Sequence, residues 1–107
     1  SVVGEQGNIG QANYAASKSA VIGLAKTLGV EGARYGVRSN VVAPGFTSTD
    51  MVKAIPEKVQ ERILQKIPLR RFADPEEVAW AVAFMMSPTM AGYITGDVLS
   101  VNGGQYT

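Results

Sequence analysis

Tyr14 and Lys18 stand four residues apart, with Ser1 thirteen residues before the tyrosine. From Ala12 onward the chain reads as a helix, and residues at this spacing share one helical face. The Lys18 ammonium can therefore stand beside the Tyr14 phenol. A phenol ordinarily titrates near pH 10. A fixed positive neighbour favours the phenolate and draws that value down. Bringing it to neutrality needs about 4 kcal/mol of preference for the charged form. One partly desolvated lysine supplies much of this, and a nearby cofactor charge could supply the rest. A tyrosine so tuned serves as a general acid, and a serine hydroxyl could hold the carbonyl oxygen that receives the proton. The same pair also occurs on many ordinary helices, where the lysine stem covers an aromatic edge. Taken alone, it decides nothing.

The composition narrows the chemistry. There is no histidine and no cysteine among the 107 residues. Disulfides, thiolate metal sites and a Ser-His-Asp arrangement are therefore excluded, and no metal is expected. Any acid or base must be a tyrosine, a lysine or a carboxylate. A hydrophobic fraction of 46%, a charged fraction of 18% and a net charge of +1 describe an ordinary globular domain. These values speak against disorder and against nucleic-acid binding. Arg70-Arg71 reads as an isolated pair in a solvated loop or at a partner contact. No apolar run has the length of a membrane span, so no membrane partner is expected.

The elements that must position these residues follow from pattern. Residues 1–11, with Gly4, Gly7 and Gly10 among polar residues, read as a loop; they lack the spacing of a phosphate-binding loop. A helix is expected over 12–34. Val21, Leu24, Ala25 and Leu28 form its buried stripe, and its first half is small-sided. A valine-rich strand is expected over 37–43, stopped by Pro44-Gly45. A short helical piece follows at 50–55, then a helix at 57–66 behind Pro56 and a connection at 68–73. Asp74-Pro75-Glu76-Glu77 combines an N-cap, a proline at N1 and first-turn acids. The helix it opens, 74–87, carries the stripe Val78, Ala81, Val82 and Met85 and ends at Pro88. A strand over 97–101 leads into Asn102-Gly103-Gly104, read as structural. Strands alternating with helices indicate parallel α/β architecture.

Three blocks carry a family resemblance: Gly7-Asn-Ile-Gly-Gln-Ala-Asn-Tyr14-Ala-Ala-Ser-Lys18, Asn40-Val-Val-Ala-Pro44-Gly45-Phe46 with Thr49-Asp50-Met51, and Tyr93-Ile-Thr-Gly96 with Val101-Asn-Gly-Gly104. In this order they resemble the short-chain dehydrogenase/reductases, whose signature is Tyr-x-x-x-Lys preceded by a serine. The first block is most similar to the group acting on 3-oxoacyl-(acyl-carrier-protein), with acetoacetyl-CoA reductases as close cousins. The resemblance covers essentially all of the chain.

It implies an α/β fold, the carboxy-terminal portion of a Rossmann-like doubly wound parallel sheet. Residues 1–107 would form one part of a single domain whose amino-terminal cofactor-binding half lies outside the chain. By the resemblance, Tyr14 is the general acid. Lys18 lowers its pKa and hydrogen-bonds the nicotinamide ribose, and Ser1 polarises the substrate carbonyl. Pro44, Gly45, Phe46 and Thr47 meet the cofactor at the strand's carboxyl edge. Gly4, Asn8 and Gln11 shape the site, Gln11 together with Ser1 and Tyr14 on the substrate side.

The implied activity is NADPH-dependent reduction of a 3-oxoacyl thioester on acyl carrier protein in fatty-acid biosynthesis, with NADH as the other possible donor. Acetoacetyl-CoA or another ketone substrate is the alternative, and a non-catalytic scaffold on a reductase fold is an alternative of another class. Relatives often carry a basic residue where Tyr35 stands here; Arg34 and Arg38 flank it and could compensate. A cytoplasmic homotetramer is implied, with organellar targeting left open. The isolated 107 residues are expected to be inactive.

Overall fold

The structure, a computed structural model, describes residues 12–105. Helix α1 runs Ala12–Gly32 and passes into a 3-10 turn, Ala33–Tyr35. Strand β1 (Val41–Pro44) follows, then helices α2 (Asp50–Lys53), α3 (Glu57–Gln65) and α4 (Pro75–Met86), and strand β2 (Val98–Val101). The two strands pair in parallel, Val41 with Val98 through Pro44 with Val101. Parallel neighbours need a long crossover; here it runs from Gly45 to Asp97 and contains three helices. Helix α4 packs on both strands. The α/β class and the parallel sheet are those expected from the sequence, with two strands.

Strand β1 is shorter at its start than the valine pattern predicts. Residues 38–40 form no ladder of their own; their polar groups clamp the segment before β2. Both guanidinium nitrogens of Arg38 donate to backbone carbonyls, Nη1 to Ile94 at 3.1 Å and Nη2 to Met85 at 3.0 Å. Met85 lies in the last turn of α4, where carbonyls lack helical partners, so the cation also suits the negative end of the helix. Asn40 donates to the Ile94 carbonyl at 2.9 Å and accepts from the Asp97 N–H at 3.0 Å. The ladder begins just beyond, where the Val41 N–H donates to the Asp97 carbonyl at 2.9 Å. Pro44 closes β1 in register, its missing N–H falling at the last position.

Of the four residues predicted to face inward from α1, Ala25 does so and the other three do not. Val21, Leu24 and Leu28 are 57%, 61% and 47% exposed. The sheltered stripe is Lys18, Ile22, Ala25 and Gly29, continuing to Gly32. Both stripes have helical spacing. The inward one consists largely of small residues, which lets the helix come close. At Gly29 it reaches the backbone of Gly96: an added Cβ would lie 2.8 Å from the Gly96 nitrogen and 3.0 Å from the Thr95 hydroxyl. That hydroxyl accepts from the Ser39 N–H at 3.1 Å and donates to the Gly29 carbonyl at 3.5 Å, tying helix, β1 approach and β2 approach together.

Helix α4 starts as predicted. Asp74 is the N-cap, Pro75 stands at N1, and the Asp74 N–H donates to the Glu77 carboxylate at 3.0 Å. Met85 is buried and Val78 and Ala81 are half-buried, but Val82 turns outward. Trp80 is 72% exposed, and Met86, Met90 and Tyr93 are exposed along the same stretch of chain. Among the described residues no helix is long and apolar enough to cross a membrane.

The contact at Gly29 gives a stability test. Gly29→Ala places a methyl against fixed backbone and should cost about 1–3 kcal/mol, the usual range for overpacking, despite alanine's better helix propensity. Denaturant unfolding of the whole protein measures it, and a stabilised variant contradicts the close approach.

Candidate active site

Lys18 lies one helical turn beyond position 14 on the inward stripe of α1. Its side chain lines a cleft with Ile22 and Val21 from the helix, and Val41, Val42, Pro44 and Gly45 from β1. An ammonium placed here faces the carboxyl end of a parallel strand, where open α/β sheets take their ligands. Three predicted site residues, Lys18, Pro44 and Gly45, are thus brought together.

Tyr14 belongs to the first turn of α1, on the same helical face as Lys18; its side chain lies outside what the structure describes. Ser1, Gly4, Asn8 and Gln11 also lie outside the described residues.

Gly45 is held by its neighbour strand. Its N–H donates to the Val101 carbonyl at 2.9 Å, and an added Cβ would stand 2.9 Å from the Asn102 Cβ. No side chain fits at this position, because it would meet Asn102. Phe46 turns its ring away from Lys18: it packs on Phe72, ring centroids 6.3 Å apart, beside a second cavity lined by Ile67, Leu69 and Asn102. The Thr47 hydroxyl donates to the Gly45 carbonyl at 3.3 Å. Phe46 and Thr47, also expected at the cofactor, do not line the Lys18 cleft.

That turn has a support the sequence reading did not assign. The Ala73 N–H donates to the Phe46 carbonyl at 3.0 Å, and the Ser48 N–H donates to the Ala73 carbonyl at 2.8 Å. Ala73 sits beside the Arg71–Glu77 pair, in which both guanidinium nitrogens meet the carboxylate, at 2.5 and 2.9 Å. Arg71 is thus no isolated surface cation; the acid three residues after the Asp74 cap was the available signal. The Arg71 hydrogen bonds, with that of the Asp74 N–H, draw the Glu77 carboxyl down to about 2. The Arg71 pKa is raised by the same partner. Arg38, which flanks Tyr35 in sequence and could have compensated for it, instead serves the α4 terminus and the Ile94 carbonyl. Arg34 stays with Tyr35, donating to its hydroxyl at 2.8 Å with the guanidinium 4.8 Å from the ring centroid.

With this geometry in view, the comparisons with known proteins are decisive for the family. A family model described as enoyl-(acyl carrier protein) reductase matches residues 1–106. The chain belongs to the short-chain dehydrogenase/reductase family. It is 58% identical over 107 residues to an acetoacetyl-CoA reductase of Synechocystis sp., covering 100% of this chain and 45% of that protein. It is 54% identical over 106 residues to the 3-oxoacyl-(acyl-carrier-protein) reductase FabG of Vibrio cholerae, covering 99% and 43%. A (3R)-3-hydroxyacyl-CoA dehydrogenase of Canis lupus familiaris is 49% identical over 106 residues, covering 99% and 40%. The chain spans less than half the length of these short-chain dehydrogenase/reductase relatives.

The depressed Glu77 pKa fixes a pH dependence. A carboxyl that titrates lower when folded adds stability above its unfolded value of about 4.5, and loses it as the pH falls toward 2. The partners facing it are Arg71 and Asp74. The melting-temperature gap between the protein and Glu77→Gln should be constant from about pH 5 to 8 and shrink to about half or less by pH 3. Thermal melts across this range measure it, and a gap that widens on acidification contradicts the assignment.

Proposed function

We propose that this chain is the carboxy-terminal part of a single reductase domain that reduces 3-oxoacyl thioesters to 3-hydroxyacyl thioesters. NADPH is the proposed hydride donor, with NADH as the alternative. The observation that carries this is that Lys18, on the inward stripe of α1, lines one cleft with Pro44 and Gly45 at the carboxyl end of β1. The cleft suits a nicotinamide nucleotide: a cation for ribose hydroxyls beside an apolar wall of Val21, Ile22, Val41 and Val42.

In this reading Ser1 donates a hydrogen bond to the substrate carbonyl oxygen. The Tyr14 phenol gives its proton to that oxygen as negative charge develops there. Lys18 holds the resulting phenolate in its charged form and donates to the ribose through its other N–H groups. When bound, the nicotinamide supplies the hydride to the carbonyl carbon. The product is the secondary alcohol, with one hydride and one proton added.

The carrier of the thioester is proposed as acyl carrier protein. A second reading, acetoacetyl-CoA, is favoured by the inward turn of Arg38, which leaves Arg34 beside Tyr35 as the nearby cation. The relative from Synechocystis bears that name. A homotetramer is the proposed assembly. The exposed Val21, Leu24 and Leu28 on α1, and Trp80 and Met86 on α4, offer apolar faces to other copies.

Two substitutions in the whole protein test the assignment. Tyr14→Phe should lower kcat on acetoacetyl-CoA by about 10²–10⁴-fold, the usual share of a general acid, with NADPH affinity nearly unchanged. More than about a tenth of the activity remaining would remove Tyr14 from that role. Lys18→Ala should lower kcat and also weaken NADPH binding by about tenfold, as expected for losing a charge-assisted hydrogen bond. Fluorescence titration reads the second effect, and an unaltered dissociation constant removes the ribose contact.

A further inference from the structure

Residues 71–74 are bent around one carboxylate. Glu77, in the first turn of α4, accepts both guanidinium nitrogens of Arg71, at 2.5 and 2.9 Å, and the Asp74 N–H at 3.0 Å. Arg71 also donates to the Phe72 carbonyl at 3.3 Å. An exposed ion pair of this kind adds little to stability, but bidentate geometry fixes orientation. The two residues enclosed by this closure, Phe72 and Ala73, hold the turn that follows β1. Phe72 packs on Phe46, and Ala73 bonds on one side to the Phe46 carbonyl and on the other to the Ser48 N–H. Between them the Thr47 hydroxyl donates to the Gly45 carbonyl, at the rim of the Lys18 cleft.

We propose that Glu77 is a positioning residue for the Gly45–Ser48 turn, whose first residue lines the Lys18 cleft, a role that rests on geometry for the turn itself and on the reductase reading for its effect on nucleotide binding. Glu77 does not line the Lys18 cleft. It sets the bend of 71–74, the bend sets Ala73, and Ala73 sets the height of the turn. Losing the carboxylate frees residues 71–73 to move, and the turn loses a fixed partner for two of its backbone groups.

The test uses the whole protein and two readouts. Glu77→Ala should speed amide hydrogen exchange at Ser48 and Ala73 by about tenfold or more, as local opening becomes easier. It should also weaken NADPH binding by about five- to twentyfold, within the range of coupling through contacts that do not touch a ligand, while kcat at saturating cofactor stays within about twofold. Arg71→Lys keeps the charge but loses the fork, and should show both effects more weakly. Glu77→Gln keeps an acceptor for the Asp74 N–H and should recover part of the exchange protection. Ser87→Ala removes the acceptor of the Met90 N–H at the other end of α4; it should leave exchange at Ser48 and Ala73 unaltered. Unchanged exchange at Ser48 in both Glu77→Ala and Arg71→Lys overturns the positioning role whatever the protein binds. Faster exchange with unchanged NADPH affinity overturns the link to the cleft. A whole protein that binds neither NADPH nor NADH overturns the reductase reading, and the exchange data then decide the role in the turn alone.

Discussion

The parallel pairing of Val41–Pro44 with Val98–Val101 joins segments more than fifty residues apart, and the rest of the chain is arranged around it. Such a contact carries a large loop-closure cost before any ladder bond forms. Side chains just outside the strands offset that cost. Arg38 and Asn40 reach across to Ile94 and Asp97, and Thr95 reaches back to Ser39 and Gly29. The register of two short strands is thereby set from the polar residues that precede them. At the far end, Gly45 and Asn102 come close enough that no side chain fits between. The cleft edge follows from that convergence.

Most of the architecture could be read from the sequence because local signals agreed with the global arrangement. Asp74-Pro75 marks the start of α4 by cap chemistry, and the valines of 41–43 and 98–101 mark strands by shape. The face of α1 was harder. Leu24 and Leu28 are larger and more apolar than Gly29, so hydrophobicity points to the outer stripe. Closeness of approach decided the matter instead, and a glycine permits the nearest approach of all.

For the candidate site, spacing alone placed Tyr14 and Lys18 on one helical face, since four residues make about one turn. That Lys18 looks onto Pro44 and Gly45 is a tertiary fact, invisible to any local pattern. Arg38 and Arg71 show the same limit. Each reads as a solvated cation in sequence, yet one finds helix-terminal carbonyls and the other a carboxylate six positions away. Long cations take their partners from whatever the fold brings within reach.

The chain has a single tryptophan, and it is the exposed Trp80. An indole facing water emits at longer wavelength than one covered by protein. The native fluorescence of this chain therefore originates from the outer face of α4, remote in sequence from the Tyr14–Lys18 pair. Anything laid over that face, another copy included, would announce itself as a blue shift without a label. Among the described residues that face is uncovered, and the chain's one indole stands on it.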